Sequence, residues 1–357
     1  VVVTGAAGYI GSHAALALLE RGHRVLGIDN MVRGNPHAIE VLRSAANGRF
    51  EFAPVDVLDQ ARLTELFRAF GADAVIHFAA LSYVGESVQQ PLLYWHTNLG
   101  GSLSLLAASR ACGIERFVFS STCSTYGVPD ASELPIRESC PQRPINPYGR
   151  SKLAFEQALL DEHAAQLASP HTAQGTAHGA EQSASPHAPF SLAILRYFNV
   201  AGCDPKGRLG EDHRPETHLI PVCLEVALGQ RTHVDLLGED YETPDGTCVR
   251  DYVHVSDLVD AHLLALDRLS PTQPLIANIG IGCGFSVREV LDACRRVTGK
   301  PIPHRSAPRR AGDPPTLLAE ATHARRALAW SPRFMSLDET VATAWAWRSA
   351  HPNGYPR

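Results

Sequence analysis

In the stretch Asn-Pro-Tyr-Gly-Arg-Ser-Lys ending at Lys152, a phenol and an ammonium stand four residues apart, at Tyr148 and Lys152. If the stretch is helical the two side chains share a face, and a cation held beside a phenol favours its phenolate. By itself the same spacing also suits a solvated helix surface. A second group stands at the other end of the chain. Gly5, Gly8 and Gly11 lie in Thr-Gly-Ala-Ala-Gly-Tyr-Ile-Gly, directly after an apolar run over residues 1–4. Gly5 permits a tight turn, Gly8 lets the backbone approach a pyrophosphate, and the helix that starts here offers its N-terminus to negative charge. Asp29 closes the next apolar run, where an acid suits a ribose 2′-hydroxyl and repels a 2′-phosphate. The spacing is G-x-x-G-x-x-G rather than G-x-G-x-x-G, but strand, turn, helix and acid occur in the right order. They predict a site for NAD rather than NADP.

The elements that must position these groups are legible from periodicity. Apolar runs over 1–4, 24–28, 50–55, 74–78 and 116–120 read as strands, and another lies at 191–199. Between them run helical patterns, over 12–22 and 61–71, that close on Gly22 and Gly71, a common way to stop a helix. Strands alternating with helices predict an α/β fold, a Rossmann-type doubly wound parallel sheet. We expect this NAD-binding domain to span mainly 1–190. A smaller C-terminal α/β substrate-binding region is expected over 191–357, with helices at 287–299 and 337–352 and some strands returning to the first domain. The segment 164–189, rich in Ala, His, Ser and Pro, cannot bury enough surface to offset its ordering entropy. It reads as a flexible surface insertion, and its His171, His178 and His187 read as solvated rather than as a metal tract.

Composition excludes other classes. With 357 residues, 45% hydrophobic, 19% charged and a net charge of −5, the chain resembles an ordinary soluble globular protein. Nothing in that balance points to nucleic acid or a membrane surface, and no apolar run approaches the roughly 20 residues of a membrane span. The opening lacks a charged leader, so no secretory signal is expected. Eight cysteines without a Cys-x-x-Cys read as reduced, buried thiols of a cytoplasmic protein, with no metal expected.

The segments TGAAGYIGSH and YGRSK resemble the modified glycine turn and the Tyr-x-x-x-Lys pair of the extended short-chain dehydrogenase/reductase family. AALSYVGESV, FVFSSTCSTYG, LRYFNVAG, GEDHRPETHLIP, YETPDGTCVRDYVHV, APRRAGDPP and HPNGYP extend the resemblance over nearly the whole chain, most specifically to its sugar-nucleotide 4-epimerases. The resemblance implies NAD as cofactor, a UDP-hexose as substrate and a homodimer. It implies interconversion of UDP-galactose and UDP-glucose by reversible hydride transfer at C4, through a 4-keto intermediate. An epimerase for a UDP-N-acetylhexosamine or a UDP-pentose would use the same residues, and an NAD-sensing protein without catalysis would keep the fold.

In this resemblance Tyr148 is the general base. A phenol that titrates near 10 needs about 4 kcal/mol of differential stabilisation to reach about 7, which Lys152 is expected to help supply while anchoring the nicotinamide ribose. Thr122 is implied to bond the sugar oxygen and relay its proton, with Ser124 as a second hydroxyl. Sugar-nucleotide dehydratases carry acids where this chain has Cys123 and Ser124, so dehydration is disfavoured. The implied cofactor side comprises Gly5, Gly8, Tyr9, Ile10, Gly11, Asp29, Asn30, Asp56, Val57, Phe78, Ala79, Ser82, Asn98, Ser120 and Phe198, besides Tyr148 and Lys152. The implied substrate side comprises Thr122, Tyr148, Asn199, His218, Leu219, Arg250, Arg310, Asp313 and Leu317. Asn199 and the two arginines are expected at the diphosphate, Asp313 at the ribose hydroxyls, and the Leu219 backbone near the uracil. Two positions depart from the pattern. Ser82 stands where some members carry a lysine. Leu317 stands where a tyrosine confines other members to UDP-glucose and UDP-galactose and a smaller residue admits N-acetyl sugars, so the choice of sugar stays open.

Overall fold

The computed structural model describes residues 1–168, 190–310 and 313–356. The alternating runs of the first half become β1 (Val2–Thr4), α1 (Tyr9–Glu20), β2 (Val25–Ile28), α2 (Pro36–Ala45), β3 (Phe50–Ala53), α3 (Gln60–Phe70) and β4 (Ala74–His77). Next come α4 (Val84–Gln89), α5 (Pro91–Tyr94) and, past a π-helical turn over Trp95–Gly100, α6 (Gly101–Ala111). These are followed by β5 (Arg116–Thr122), α7 (Pro147–Ala168) and β6 (Ser191–Tyr197). The remainder contains β7 (Asn199–Ala201), α8 (Leu219–Ala227), β8 (Val234–Leu237), β9 (Val249–His254), α9 (Val255–Asp267) and β10 (Leu275–Ile279). It ends with β11 (Gly284–Ser286), α10 (Val287–Thr298), β12 (His304–Ala307), β13 (Thr316–Leu317), α11 (Thr322–Leu328) and α12 (Leu337–Ala350).

Seven strands form one sheet in the order β10-β6-β5-β4-β1-β2-β3, every neighbour parallel. Helices cover both faces, so the strands read as continuous apolar runs rather than as alternating ones. Successive residues nevertheless feed opposite layers: Val3, Ile76, Val118 and Leu195 enter one core, while Val2, Val75, Phe117 and Ile194 enter the other. The chain winds outward in one direction from β1 and in the other from β4. The crevice between their carboxyl ends is the topological switch point, where this architecture binds ligands. Around β9 a second sheet forms, with β7 and β13 parallel to it and β11 antiparallel.

Helix ends follow local chemistry. Asp59 caps α3, and Gly71 ends it in a left-handed conformation at φ +68°; Ser286 and Glu289 form a capping box on α10, which closes on Gly299 at φ +65°. The expected insertion starts later than composition suggests. Residues 164–168 complete α7, because His163 Nδ1 bonds the Phe190 carbonyl at 2.7 Å and Gln166 accepts the Phe190 N–H at 2.7 Å. These two side chains, three residues apart on one helix face, fasten the last turn to the start of β6. Residues 169–189, with His171, His178 and His187, lie outside the described residues. Among the described residues no helix is long and apolar enough to cross a membrane, and all eight cysteines are free thiols.

Candidate active site

The glycine turn is built by close approach. Gly5 sits at φ +71°, where a Cβ would lie 2.8 Å from the Ala79 nitrogen, and a Cβ on Gly11 would lie 2.1 Å from the Gly5 carbonyl oxygen. Gly8 caps α1, and a Cβ there would meet only the Gly5 oxygen, at 3.3 Å. The backbone is therefore bare on its outer side, at a helix N-terminus, which fits a pyrophosphate. Tyr9 does not turn toward that cradle. Its hydroxyl donates to the Gly202 carbonyl at 2.5 Å, and Ile10 packs partly buried against the core.

Asp29 directly follows β2, its carboxylate accepting from Ala7 N–H at 3.1 Å and Met31 N–H at 2.8 Å. Burial raises its pKa despite those donors. Asn30 donates to Asp56 at 2.7 Å, so these two residues meet beside the ends of β2 and β3. Val57 seats against Gly101, where a Cβ would lie 2.7 Å from its Cγ2. Phe78 and Ala79 continue β4 into the crevice, the Ala79 N–H donating to Thr4 Oγ1 at 3.3 Å. Ser82, beyond them, is exposed. The Asn98 side chain braces the loop after β4. It clamps both backbone groups of Leu81, at 2.8 and 3.0 Å, and donates to Ser151 Oγ at 3.2 Å.

Asn146 and Pro147 launch α7 as capping rules expect, the Asn146 side chain accepting the Gly149 N–H at 2.8 Å. Tyr148 and Lys152 then point from one face into the protein, 6% and 4% exposed, not into solvent. Lys152 Nζ donates to the Ser120 carbonyl at 2.9 Å and stands 4.7 Å from the Phe119 ring centroid. The Tyr148 hydroxyl lies close enough to Thr122, the last residue of β5, for that residue to favour its ionised form. Thr122 Oγ1 accepts the Ser124 N–H, at 3.1 Å, which turns the chain back under α7. Thus β5 and α7 together bring Ser120, Thr122, Tyr148 and Lys152 to one spot, with half-buried Ser124 beside them.

The electrostatics differ from the expectation. Burial raises the Tyr148 pKa well above its ordinary value and lowers that of Lys152 to about 7, with Glu156 opposing the latter. Both groups favour their neutral forms in a poorly solvated site, and the group that acts to lower the phenol is Thr122.

Arg250 of β9 lies opposite Leu317 of β13, and its guanidinium stands 3.6 Å from the Asp313 carboxylate. These three expected substrate residues therefore converge. Leu317 packs against a cluster containing Cys123 and Phe198, which links its position to the strand end carrying Thr122. Asn199 opens β7, paired with Tyr252, and Leu219 opens α8. His218 turns to Glu216, 2.9 Å away. Arg310 is exposed and meets Asp313 through its carbonyl, at 3.2 Å.

One buried network was not anticipated. Arg196 of β6 donates to both carboxylate oxygens of Glu156, a pair 4% and 0% exposed. Glu156 also accepts from Ser121 and from Gln142, the latter at 3.0 Å. The available signal was Glu156 four residues beyond Lys152, on the same face of one helix; its partner 40 residues away left none.

Comparison with known proteins agrees with this geometry. A model of the NAD dependent epimerase/dehydratase family matches residues 1–280, and the chain belongs to that family. More particularly, it is 45% identical to the UDP-glucose 4-epimerase of Halalkalibacterium halodurans, over 99% of this chain and 97% of that protein. It is 42% identical to UDP-arabinose 4-epimerase 1 of Arabidopsis thaliana, over 99% of this chain and 80% of that protein. The crystal structure of UDP-glucose 4-epimerase from Bifidobacterium longum in complex with NAD+ and UDP superposes with a TM-score of 0.89 at 36% identity, covering 99% of each chain.

Proposed function

We propose that this chain interconverts UDP-galactose and UDP-glucose by reversible oxidation at C4. The observation that carries the reading is the buried meeting of Tyr148 with Thr122, beside Lys152, at the carboxyl end of the parallel sheet. Tyr148 takes the O4 proton as general base. Thr122 holds the sugar oxygen and relays the proton, and Ser124 is its nearest hydroxyl neighbour. NAD, when bound, supplies the hydride acceptor at C4. Gly5, Gly8 and Gly11 cradle its pyrophosphate, Asp29 holds a ribose, Lys152 the other ribose, and the remaining cofactor-side residues line its path. On the substrate side Arg250 and Arg310 bind the diphosphate with Asn199, Asp313 the uridine ribose, and His218 with Leu219 the base. The 4-keto sugar turns over between two half-reactions while its nucleotide stays held, so no net redox change results.

Residues 1–190 form the main NAD-binding unit and 191–357 the main substrate-binding unit in this reading, with β10 returning to the first sheet. In this reading the chain works in the cytoplasm, where its eight free cysteines would stay reduced, and its reaction serves galactose metabolism. A homodimer is supported by Val88, Leu92 and Leu103, exposed at 62%, 80% and 42% on α4, α5 and α6, a concentration of apolar surface that suits a partner.

The test is incubation with UDP-galactose and no added NAD, following UDP-glucose by a coupled dehydrogenase, with UDP-N-acetylgalactosamine and UDP-xylose in parallel. Turnover of UDP-galactose alone supports the reading and a pocket closed by Leu317. Turnover of only another sugar moves the assignment to that sugar.

A further inference from the structure

Two loops leave the same end of the sheet on either side of β1. Strands β4, β1 and β2 are neighbours in that order and all parallel. The segments after β2 and after β4 therefore flank the turn that follows β1, the one built from Gly5, Gly8 and Gly11. The segment after β2 rests on that turn. The Asn35 N–H donates to the Ala7 carbonyl at 2.9 Å, and a Cβ on Gly34 would lie 2.7 Å from both the Ala7 Cβ and Asp29 Oδ1.

From this position Arg33 reaches across to the other loop. Its guanidinium donates to Glu86 Oε1 of α4 at 2.6 Å and stands 4.6 Å from the centroid of the Tyr83 ring. Ser82, the exposed residue before Tyr83, brings no charge to this mouth, so the cation comes from the opposite side. The far anchor is held from within. The hydroxyl of Tyr94, a residue 0% exposed, lies 2.8 Å from Glu86 Oε2 and 2.8 Å from the Tyr83 carbonyl oxygen. Tyr83 also meets His213 edge-on at 6.2 Å, and His213 meets Tyr9, the first residue of α1, at 6.0 Å. Both partners of Arg33 are thus braced, while its own side chain is 37% exposed and is the member free to let go.

We propose that Arg33, Tyr83 and Glu86 form a latch across the mouth of the NAD crevice that slows escape of the cofactor. The proposal rests on the reading of Gly5, Gly8 and Gly11 as the pyrophosphate cradle. An enzyme that oxidises C4 and then reduces it must keep the reduced cofactor between its two half-reactions, because release at that point strands a 4-keto sugar. A dehydrogenase that exchanges cofactor in every cycle has no use for such a bar. A planar guanidinium suits the task, since it pairs with a carboxylate and lies on an aromatic face at once. Each contact is weak at a surface, so the two together delay opening without sealing the crevice. The rival is a direct role, in which Arg33 pairs with the pyrophosphate and Glu86 competes for it.

The test measures how fast bound NAD exchanges for isotopically labelled NAD on the purified full chain, by gel filtration and mass spectrometry, with the thermal midpoint of each protein alongside. Arg33→Ala and Glu86→Gln should each speed exchange about five- to tenfold, and Tyr83→Leu about threefold. The double variant Arg33→Ala/Glu86→Gln should be no more than about twofold faster than either single one, since both break the same contact. If Glu86→Gln does not fold, Tyr83→Leu keeps the distinction, because direct pairing with phosphate does not need the ring. Unchanged exchange in Arg33→Ala overturns the proposal and leaves an ordinary surface ion pair. Faster exchange in Arg33→Ala, with unchanged or slower exchange in Glu86→Gln and Tyr83→Leu, overturns it in favour of the direct role. A midpoint lowered by more than about 5 °C in step with the exchange rate assigns the effect to general loosening and also overturns it. A wild-type chain that neither carries nor takes up NAD removes the cradle itself, a failure distinct from that of the latch.

Discussion

Lys152 gives its ammonium to the Ser120 carbonyl at 2.9 Å, while Tyr148, one turn earlier on α7, meets Thr122 two residues further along β5. The helix is thus fastened to the strand by the lysine, and the phenol is set beside the hydroxyl of the strand's last residue. Both side chains are buried, so each resists its charged form until the site supplies compensating charge. Without further positive charge the phenol keeps its proton. The nicotinamide of bound NAD, together with Lys152, lowered to about 7 and so able to carry charge near neutral pH, would supply the charge that frees Tyr148 to act as a base.

Removing the phenolic oxygen should separate binding from chemistry. Tyr148→Phe leaves the ring in its contact with Tyr94, at 6.5 Å, and deletes the proton acceptor. We expect bound NAD to persist and kcat to fall about a hundred- to ten-thousandfold. Near wild-type turnover would show that another group takes the proton.

The Glu156–Arg196 pair should behave as a buried ion pair does when broken from one side. Arg196→Met leaves a carboxylate that is 0% exposed without its main partner, a loss of about 3–5 kcal/mol. The double variant Glu156→Gln/Arg196→Met should lose less than the two single changes combined. Urea unfolding of the four proteins measures this, and strictly additive losses would refute the coupling.

Asp251 makes stability depend on pH. Its carboxylate accepts N–H groups from Ile281 at 2.8 Å, Gly282 at 2.9 Å and Ala319 at 3.3 Å. Burial outweighs those donors and raises its pKa to about 6. Unfolded, the group titrates near 3.9. Between these values the native state holds a proton the unfolded state has released, so this group's contribution to stability falls as pH rises from about 4 to 6 and then stays level. The change amounts to roughly 3 kcal/mol. Asp251→Asn should flatten this part of the profile of urea midpoint against pH, and an unchanged slope would assign it to other groups.

Gly11→Ala should disturb the cofactor turn without touching the chemistry. Its Cβ would sit 2.1 Å from the Gly5 carbonyl oxygen, and backbone cannot yield as a side-chain tip can. We expect a loss of about 1–3 kcal/mol together with weaker NAD retention. Wild-type retention on gel filtration would show that the helix can move away freely.

Much of the design is legible in the sequence because it is local. The glycine turn, Asp29 after the second strand and the shared face of Tyr148 and Lys152 each depend on residues within one or two elements, where φ/ψ preference and period suffice. Composition also marked residues 164–189 as unlike the rest. It placed their start too early, because what holds residues 164–168 in α7 is a pair of bonds from His163 and Gln166 to Phe190, which no local propensity encodes.

By itself the sequence determined a wound parallel sheet, a dinucleotide turn and a tyrosine–lysine face, since repeat period and backbone freedom are properties of short segments. Only the tertiary structure decided that Lys152 faces Ser120, that Arg196 neutralises Glu156 and that Leu317 lies beside Arg250. Those relations come from strand register and helix packing between distant segments. The charge states follow from burial, which exists only once the segments have come together.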